Sequence, residues 1–442
     1  MTERTQNAPA SMYRSREGLG VWEHRGKVAV VGIGHSPADR RWDGVNMDKA
    51  LGAYAINAAE KCLKDAGVRP EQIDGVVAVP TGLGDAWAPR PYLAPPYDSE
   101  DGLTGVSADW LVKNMAGLKN VTFTMHGSGC ISNAMNVAAQ AIGDGLAHTV
   151  LVLRATGNLP GRYHQAGSAT EASVPGGAVG ADTWQTAWES VWGWDPGPQL
   201  FAIVFDEYCR RYNTNHDRMA PFVVNLRRNG LMMPEGFYAQ NRSEPFNVED
   251  YLNGRWISKP LSIYDCDMPI QTVACYLMTT AERARDMKQK PVYVLGHATH
   301  QAKPRCIQPT LEETEASTDS LARKLYEASG LTYRDVDVFN PYDGFALFTQ
   351  HYVESFRWHG VMKGEAHDLY ASDIRVEGPY PLLSSGGNIG NGRTRFWHYT
   401  DSIQQLQGRA GKRQVKIKAE TAIAGGPTPL SGNWMAFGTS PD

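Results

Sequence analysis

One block of this sequence occurs twice, and that repeat limits the possible folds more than any other feature. Val28–Gly34 (VAVVGIG) is an apolar run ending in glycine and reads as a buried strand. Asp48–Asp65 then carries Ala, Ile and Leu at helical spacing, and Ala66-Gly67 closes that helix. An acidic turn, VRPEQIDG, leads into a second apolar run, VVAV. The same order returns late in the chain: Pro291–Gly296 (PVYVLG) reads as a strand, Ser320–Ser329 as a helix closed by Gly330, and LTYRDVDVFNPY as the approach to the next strand. Gly67 to Asp74 and Gly330 to Asp337 span the same seven residues, the mark of a duplicated strand–helix–strand unit. Each copy continues with a helix and a strand, Cys130–Gly143 with Thr149–Leu153 and Phe396–Gly408 with Val415–Ala422. Alternating strands and helices predict an α/β fold of parallel sheets covered by helices on both faces.

The stretch from about Asn158 to Leu261 belongs to neither copy and is rich in Gly, Pro and aromatic residues, as expected of an inserted cap. The expected division is an N-terminal extension over 1–27, a first half over 28–157 and 262–290, a cap over 158–261 and a second half over 291–442. With 442 residues and 42% hydrophobic content, the chain suffices for one large core or two ordinary ones. A net charge of −4 with both signs interspersed leaves no basic stripe for nucleic acid. Apolar runs are of strand length, which predicts no membrane span. The polar N-terminus lacks the apolar core of a signal peptide. Six cysteines lie far apart without CxxC pairs, a pattern that suits reduced thiols in the cytoplasm.

Three segments, SGGNIGNGR, NPYDGF and DCDMP…TTAERAR, carry a specific resemblance. With the duplicated halves and the insertion, they make the chain similar to the thiolase superfamily over nearly its whole length after about Lys27. The branch it resembles includes sterol carrier protein thiolase and the steroid side-chain-cleaving aldolases. The resemblance implies a thiolase fold, two homologous βαβ-rich halves in a layered αβαβα arrangement with a large cap. It also implies an acyl-coenzyme A thioester as substrate and no cofactor in this chain. The implied assembly is a homodimer that binds a small OB-fold, zinc-ribbon partner to form a heterotetramer, with any zinc held by that partner.

A thiolase sets its nucleophilic cysteine at a buried helix N-terminus, where the helix dipole favours the thiolate. Here that segment is HGSGCISNAMNVAAQAI. Counting back from Ile142 by the family interval puts Ser128 at the nucleophile position, and Cys130 becomes the nucleophile only if the loop is shifted. The alternative for Cys130 is a small buried residue packing the helix start. The resemblance places Tyr342 where a thiolase has an oxyanion-hole Asn. It puts Arg393 in place of the histidine, and Ile423 in place of the second cysteine. These replacements remove the groups of thiolysis. A tyrosine at this position resembles the aldolase branch, which cleaves a β-hydroxyacyl-CoA by a retro-aldol step with tyrosine as base. A free phenol has a pKa of about 10, so a nearby cation is needed to favour the phenolate. Arg393 is the expected cation, or the group that binds the enolate oxygen. The aldolase pattern resembles a second tyrosine at that position, so the base and acid stay open between these residues. Asp343 joins the catalytic set, and His126, Asn388, Gly387 and Gly426 are expected to line the substrate site. The other readings are a core tyrosine, an Arg393–Asp343 ion pair, a thiolase or acyltransferase using Cys130, a non-catalytic subunit, and lipid binding without chemistry.

Trp184, Trp188 and Trp192 fall on one helical face beside Trp194, either as a cap over a broad apolar substrate or as packing. Gly32 and Gly34 lack the third glycine of a dinucleotide loop. His297 with His300, and Asp265 with Asp267 around Cys266, form no convincing ligand set, so no metal is expected.

Overall fold

A computed structural model describes residues 20–79, 102–103, 105–127, 130–157, 198–301 and 309–442. The strands are β1 (Val28–His35), β2 (Gly75–Val79), β3 (Phe123–His126), β4 (Thr149–Thr156), β5 (Trp256–Ser258), β6 (Leu261–Ser262), β7 (Thr272–Thr280), β8 (Val292–Gln301), β9 (Val338–Asn340), β10 (Thr421–Thr428) and β11 (Ser431–Gly438). The main helices are α1 (Leu51–Ala66), α2 (Ile131–Gly143), α3 (Pro198–Arg211), α4 (Ala220–Leu231), α5 (Leu311–Ser329), α6 (Thr349–Ser355), α7 (Gly387–Asn391) and α8 (Trp397–Gln407). Gly67 and Gly330 both adopt the left-handed conformation that ends a helix, at φ 72° and 70°, so the repeated glycines do the same work in both halves.

The sheet order is β3-β2-β4-β7-β1 followed by β8-β11-β10-β9. Each half therefore brings its first strand to the junction, then an antiparallel strand, then the rest. The halves meet through two residue pairs, Ala29 with Tyr293 and Val30 with Val292. Among the described residues the second half has no counterpart of β3.

The sheet is mixed and not parallel as the alternation predicts. Only β2 with β3, β2 with β4, and β9 with β10 run parallel. β11 returns on β10 across the short turn at Pro429-Leu430, and such a hairpin is antiparallel of necessity. The strand expected at Val415–Ala422 begins only at Thr421. Exposed Lys416, Lys418 and Glu420 alternate there with more buried residues, but this stretch pairs with no neighbouring strand.

Strand periodicity sorts the core into layers. In β1, Ala29 and Val31 join α1 in the outer core, whereas Val28 and Val30 face an inner core built on α2 and α8. In β7, Cys275 and Leu277 face out and Ala274, Tyr276 and Met278 face in. Outer helices α1 and α5 thus cover the two halves of this one sheet, with α2 and α8 between the halves, which is the five-layer αβαβα arrangement. All residues of α8 are buried, and Asp401 within it pairs with Arg413 and accepts a hydrogen bond from Asn340 Nδ2 at 3.2 Å. Those pairings offset the cost of burying a charge.

The described part of the insertion packs on the second half. Gly230 of α4 lies so close to the backbone of Gly390 in α7 that a Cβ there would collide with its carbonyl. Trp184, Trp188, Trp192 and Trp194 lie outside the described residues.

Candidate active site

Three distant segments meet in the second half. Tyr342 follows β9, the Asp267 N–H donates to the Gly344 carbonyl at 3.1 Å, and the Arg393 N–H donates to the Met268 carbonyl at 2.7 Å. Backbone bridges join Cys266 to Phe345 and Pro269 to Arg393. The segment DCDMP therefore runs between YDGF and the arginine loop after α7.

Tyr342 is buried, with its ring between two glycines. A Cβ on Gly344 would collide with the phenol oxygen, and one on Gly426 would stand 2.9 Å from ring atom Cδ2. Any larger residue at either position displaces the ring. Burial pushes the Tyr342 phenol above its ordinary value. Arg395 opposes that rise by its charge and by a side-chain hydrogen bond to the phenol, and Arg393 opposes it by charge alone. The negative charge of Asp267 adds to the rise. Arg393 thus acts in the expected direction, but desolvation of the buried phenol outweighs both cations.

The loop that presents the arginines is fixed from below. The buried Asp343 carboxylate accepts from the backbone N–H of Asn388 at 2.8 Å, that of Ile389 at 3.0 Å, and His398 Nε2 at 2.9 Å. It caps α7, and a Cβ on Gly387 would run into it. Asn388 Oδ1 accepts from the N–H groups of Thr394 and Arg395, both at 3.2 Å. Arg395 sits at φ 65°, a left-handed conformation uncommon outside glycine and costing roughly 1–3 kcal/mol. Arg154 of β4 adds a bond from Nε to the Thr394 carbonyl at 2.7 Å. The His398 ring lies 5.7 Å from the Tyr342 ring and joins Asp343 beneath it.

Cys130 caps α2 and is buried, with its sulfur paired to the Ser132 hydroxyl. Burial pushes the Tyr352 phenol well above its ordinary value. Ser128 lies outside the described residues.

Residues 299–432 match the thiolase C-terminal domain-like family. The chain has a thiolase fold. It is 25% identical over 417 residues to a 17-hydroxy-3-oxo-4-pregnene-20-carboxyl-CoA lyase of Mycobacterium tuberculosis, covering 92% of this chain and 98% of that one. It is 23% identical to a steroid side-chain-cleaving aldolase of Thermomonospora curvata, covering 92% and 97%. In fold it is similar to the solved Ltp2–ChsH2(DUF35) aldolase, with a TM-score of 0.75 at 21% identity over 93% of this chain and 98% of that one.

In this thiolase-fold chain, Tyr342, Asp343, Gly387, Asn388, Arg393 and Gly426 come together around one buried phenol. His126 stands apart on edge strand β3, with its side chain 45% exposed and its ring accepting from the Ala108 N–H at 3.3 Å. Ile423 is core in β10 and supplies no proton-transfer group. The Asp265 carboxylate binds His216 Nε2 at 2.7 Å and the Tyr251 hydroxyl at 2.6 Å, a buried brace for the insertion. Among the described residues, no group of three His, Cys, Asp or Glu is placed to hold a metal, and no helix is long and apolar enough to cross a membrane. Sequence reasoning missed Arg395 and His398. The available signal was the run RTRFWH itself, with three ionisable side chains beside a quoted motif and in a segment otherwise headed for the core.

Proposed function

We propose that this chain cleaves a β-hydroxyacyl-CoA with a bulky apolar acyl chain, by a retro-aldol reaction, to a shorter acyl-CoA and a ketone or aldehyde. The observation that carries the reading is the Tyr342 phenol, buried between two glycines and hydrogen-bonded to Arg395 with Arg393 nearby. The kinship with proteins named as a CoA lyase and a side-chain-cleaving aldolase supports it.

In this reading Tyr342, as phenolate, removes the proton of the β-hydroxyl. The O–H electron pair becomes the new carbonyl π bond. The Cα–Cβ bond breaks, and its electron pair passes into the thioester as an enolate. Arg393 holds the enolate oxygen while Arg395 holds the phenolate. Protonation of Cα by the Tyr342 phenol then gives the shorter acyl-CoA and restores the phenolate, so no proton is gained or lost. The chain supplies these groups itself, and the coenzyme A thioester enters as substrate. Asn388, Gly387 and Gly426 shape the space around the reacting atoms.

The assembly we propose is a homodimer carrying an OB-fold, zinc-ribbon partner, in the cytoplasm. The two-component name of the similar aldolase supports a partner, and β3, at the end of the sheet among the described residues and carrying exposed Met125 and His126, is the strand we assign to the contact with a second copy.

The test is product analysis on a β-hydroxyacyl-CoA with a fused-ring tail, with the partner present and with or without free CoA. A carbonyl compound plus a shorter acyl-CoA, formed independently of free CoA, is the expected result. Cleavage of a β-ketoacyl-CoA only in the presence of free CoA would replace this reading with thiolysis through Cys130.

A further inference from the structure

One charged side chain of the first half ends at the arginine loop. Arg154 lies in β4 between Val79 of β2 and Ala274 of β7, its partners in register on the two neighbouring strands. By strand alternation it shares a face with Val150 and Val152, the face turned to the inner core around α2 and α8. It is 1% exposed. Taking a guanidinium out of water is unfavourable, and an apolar residue would fill that place in β4 without the penalty. Its Nε–H donates to the Thr394 carbonyl at 2.7 Å, a charge-assisted bond that joins the halves across 240 residues of sequence.

That bond lands on one particular peptide unit. The Thr394 carbonyl and the Arg395 N–H are the two poles of the same planar group. Arg154 Nε holds the carbonyl, and Asn388 Oδ1 accepts from the N–H at 3.2 Å. The orientation of this plane sets φ of Arg395, which stands at 65° in the left-handed region. Turning the plane to relax that angle would break both bonds at once. Arg154 opposes the relaxation from the side of the first half, and Asn388 opposes it from the side of α7. The side chain carried by this held backbone is the Arg395 guanidinium, which hydrogen-bonds the Tyr342 phenol.

We propose that Arg154 is a positioning residue of the Tyr342 site: by fixing the Thr394–Arg395 peptide it aims the Arg395 guanidinium at the phenol. It acts through the backbone of Arg395 and takes no part in bond breaking. Its effect on turnover rests on the aldolase reading, whereas its hold on the peptide does not.

The experiment uses the full-length protein with its partner and two substitutions at one position. Arg154→Met matches the side chain as far as Nε but carries no donor there, whereas Arg154→Gln puts an amide N–H at the same point. Two readouts are taken. One is the pH profile of kcat. The other is the magnetic resonance signal of Tyr342 in protein isotope-labelled at tyrosine Cζ, identified by its absence from Tyr342→Phe. Asp267, Arg393 and His398 also border the phenol and are common to all variants, so a change in either readout reports Arg395. Arg154→Met is expected to lower kcat about threefold to tenfold at neutral pH with little change in KM. It should move the rise of kcat to higher pH and move the Cζ signal in the direction that Arg395→Gln moves it. Arg154→Gln should return both readouts most of the way. In an Arg395→Gln background Arg154→Met should add little, because the two residues act in series. An arginine kept only for packing would lower the melting temperature of Arg154→Met and leave the pH profile and the Cζ signal at their wild-type positions, which would overturn the proposal. Should Arg154→Met not fold, Arg154→Lys takes its place, keeping the charge but carrying its donor one bond further out. The same two shifts are then expected, and wild-type values of both would overturn the proposal. If the Cζ signal moves as expected but the wild-type protein cleaves no β-hydroxyacyl-CoA, the positioning role stands and the aldolase reading falls. If the wild-type protein cleaves the ester and neither readout moves, the reverse holds.

Discussion

Helices α2 and α8 hold the same place in the two halves of the repeat, each buried in the inner core between the halves of the sheet, yet they are built from opposite materials. The buried face of α2 is mainly Ile131, Ala134, Met135, Ala138, Ala139 and Ile142. That of α8 includes His398, Thr400, Asp401, Gln404 and Gln405. A polar helix in a dry interior is stable only where each group finds a partner, and α8 finds them in Asp343, Asn340, Arg413 and Tyr276. Those partners lead to the segment that bears Tyr342. The difference between the helices therefore marks a division of labour: the first half supplies packed apolar scaffold, and the second a paired polar framework around one phenol. Cys130, at the start of the apolar helix, belongs to the scaffold in this view.

The largest test of that division compares the two candidates directly. Tyr342→Phe should lower kcat by roughly 10²–10⁴, the range for a lost acid–base group. Cys130→Ala should leave kcat within a few-fold of wild type, with a modest loss of thermal stability from the vacated thiol. A Cys130→Ala protein without activity, beside an active Tyr342→Phe protein, would reverse the assignment of the halves.

A smaller effect separates the two arginines. Arg395 reaches the phenol by a hydrogen bond and Arg393 by charge alone. Arg395→Gln should therefore cost roughly tenfold to a hundredfold in kcat, the scale of one charge-assisted bond. The direction with pH follows from the phenol. Its pKa is raised, so the phenolate fraction and kcat climb as pH rises through neutral and alkaline values. Loss of Arg395 moves that climb to higher pH. Arg393→Gln should move it less. Identical pH profiles for wild type and Arg395→Gln would show that the guanidinium does not govern the phenol.

How much of this was legible in the sequence differs between the halves in the same way. Strand and helix periodicity around Gly67 and Gly330 was plain because each element buries one regular face. The mixed strand directions were not, since direction depends on where β7 and β11 return from. At the site, Tyr342, Asp343, Asn388 and Arg393 were readable because they sit inside quoted motifs. Arg395 needs the αL backbone at its own position to swing toward Tyr342, and His398 needs the helix that sets it under Asp343. Neither condition has a local sequence signature. His126 is expected to line the substrate site, but the strand it ends lies at the sheet edge among the described residues.

The smallest effect concerns a buried carboxyl that the chemistry does not use. Glu354 of α6 is 2% exposed, accepts from the Tyr208 hydroxyl and from the Ala366 N–H at 3.1 Å, and has its pKa raised by burial from 4.5 to about 7. A raised acid favours the folded state fully below pH 4.5, and that contribution is lost as pH climbs through 7, on the order of 3 kcal/mol in all. His351 and His367 work in the opposite sense, since burial lowers their pKa values to about 3 and about 4 and withdraws stability as pH falls. The wild-type melting curve mixes both, so the informative quantity is the difference between Glu354→Gln and wild type. That difference should be near zero or slightly negative at pH 5 and should turn positive by several degrees at pH 8, because the amide carries no charge to desolvate. Tyr208 belongs to α3 of the insertion, so the same curve tests how tightly the insertion is docked. A difference that stays constant from pH 5 to pH 8 would mean that Glu354 ionises at its ordinary pH and that water reaches it, leaving the insertion looser on the second half than its packing implies.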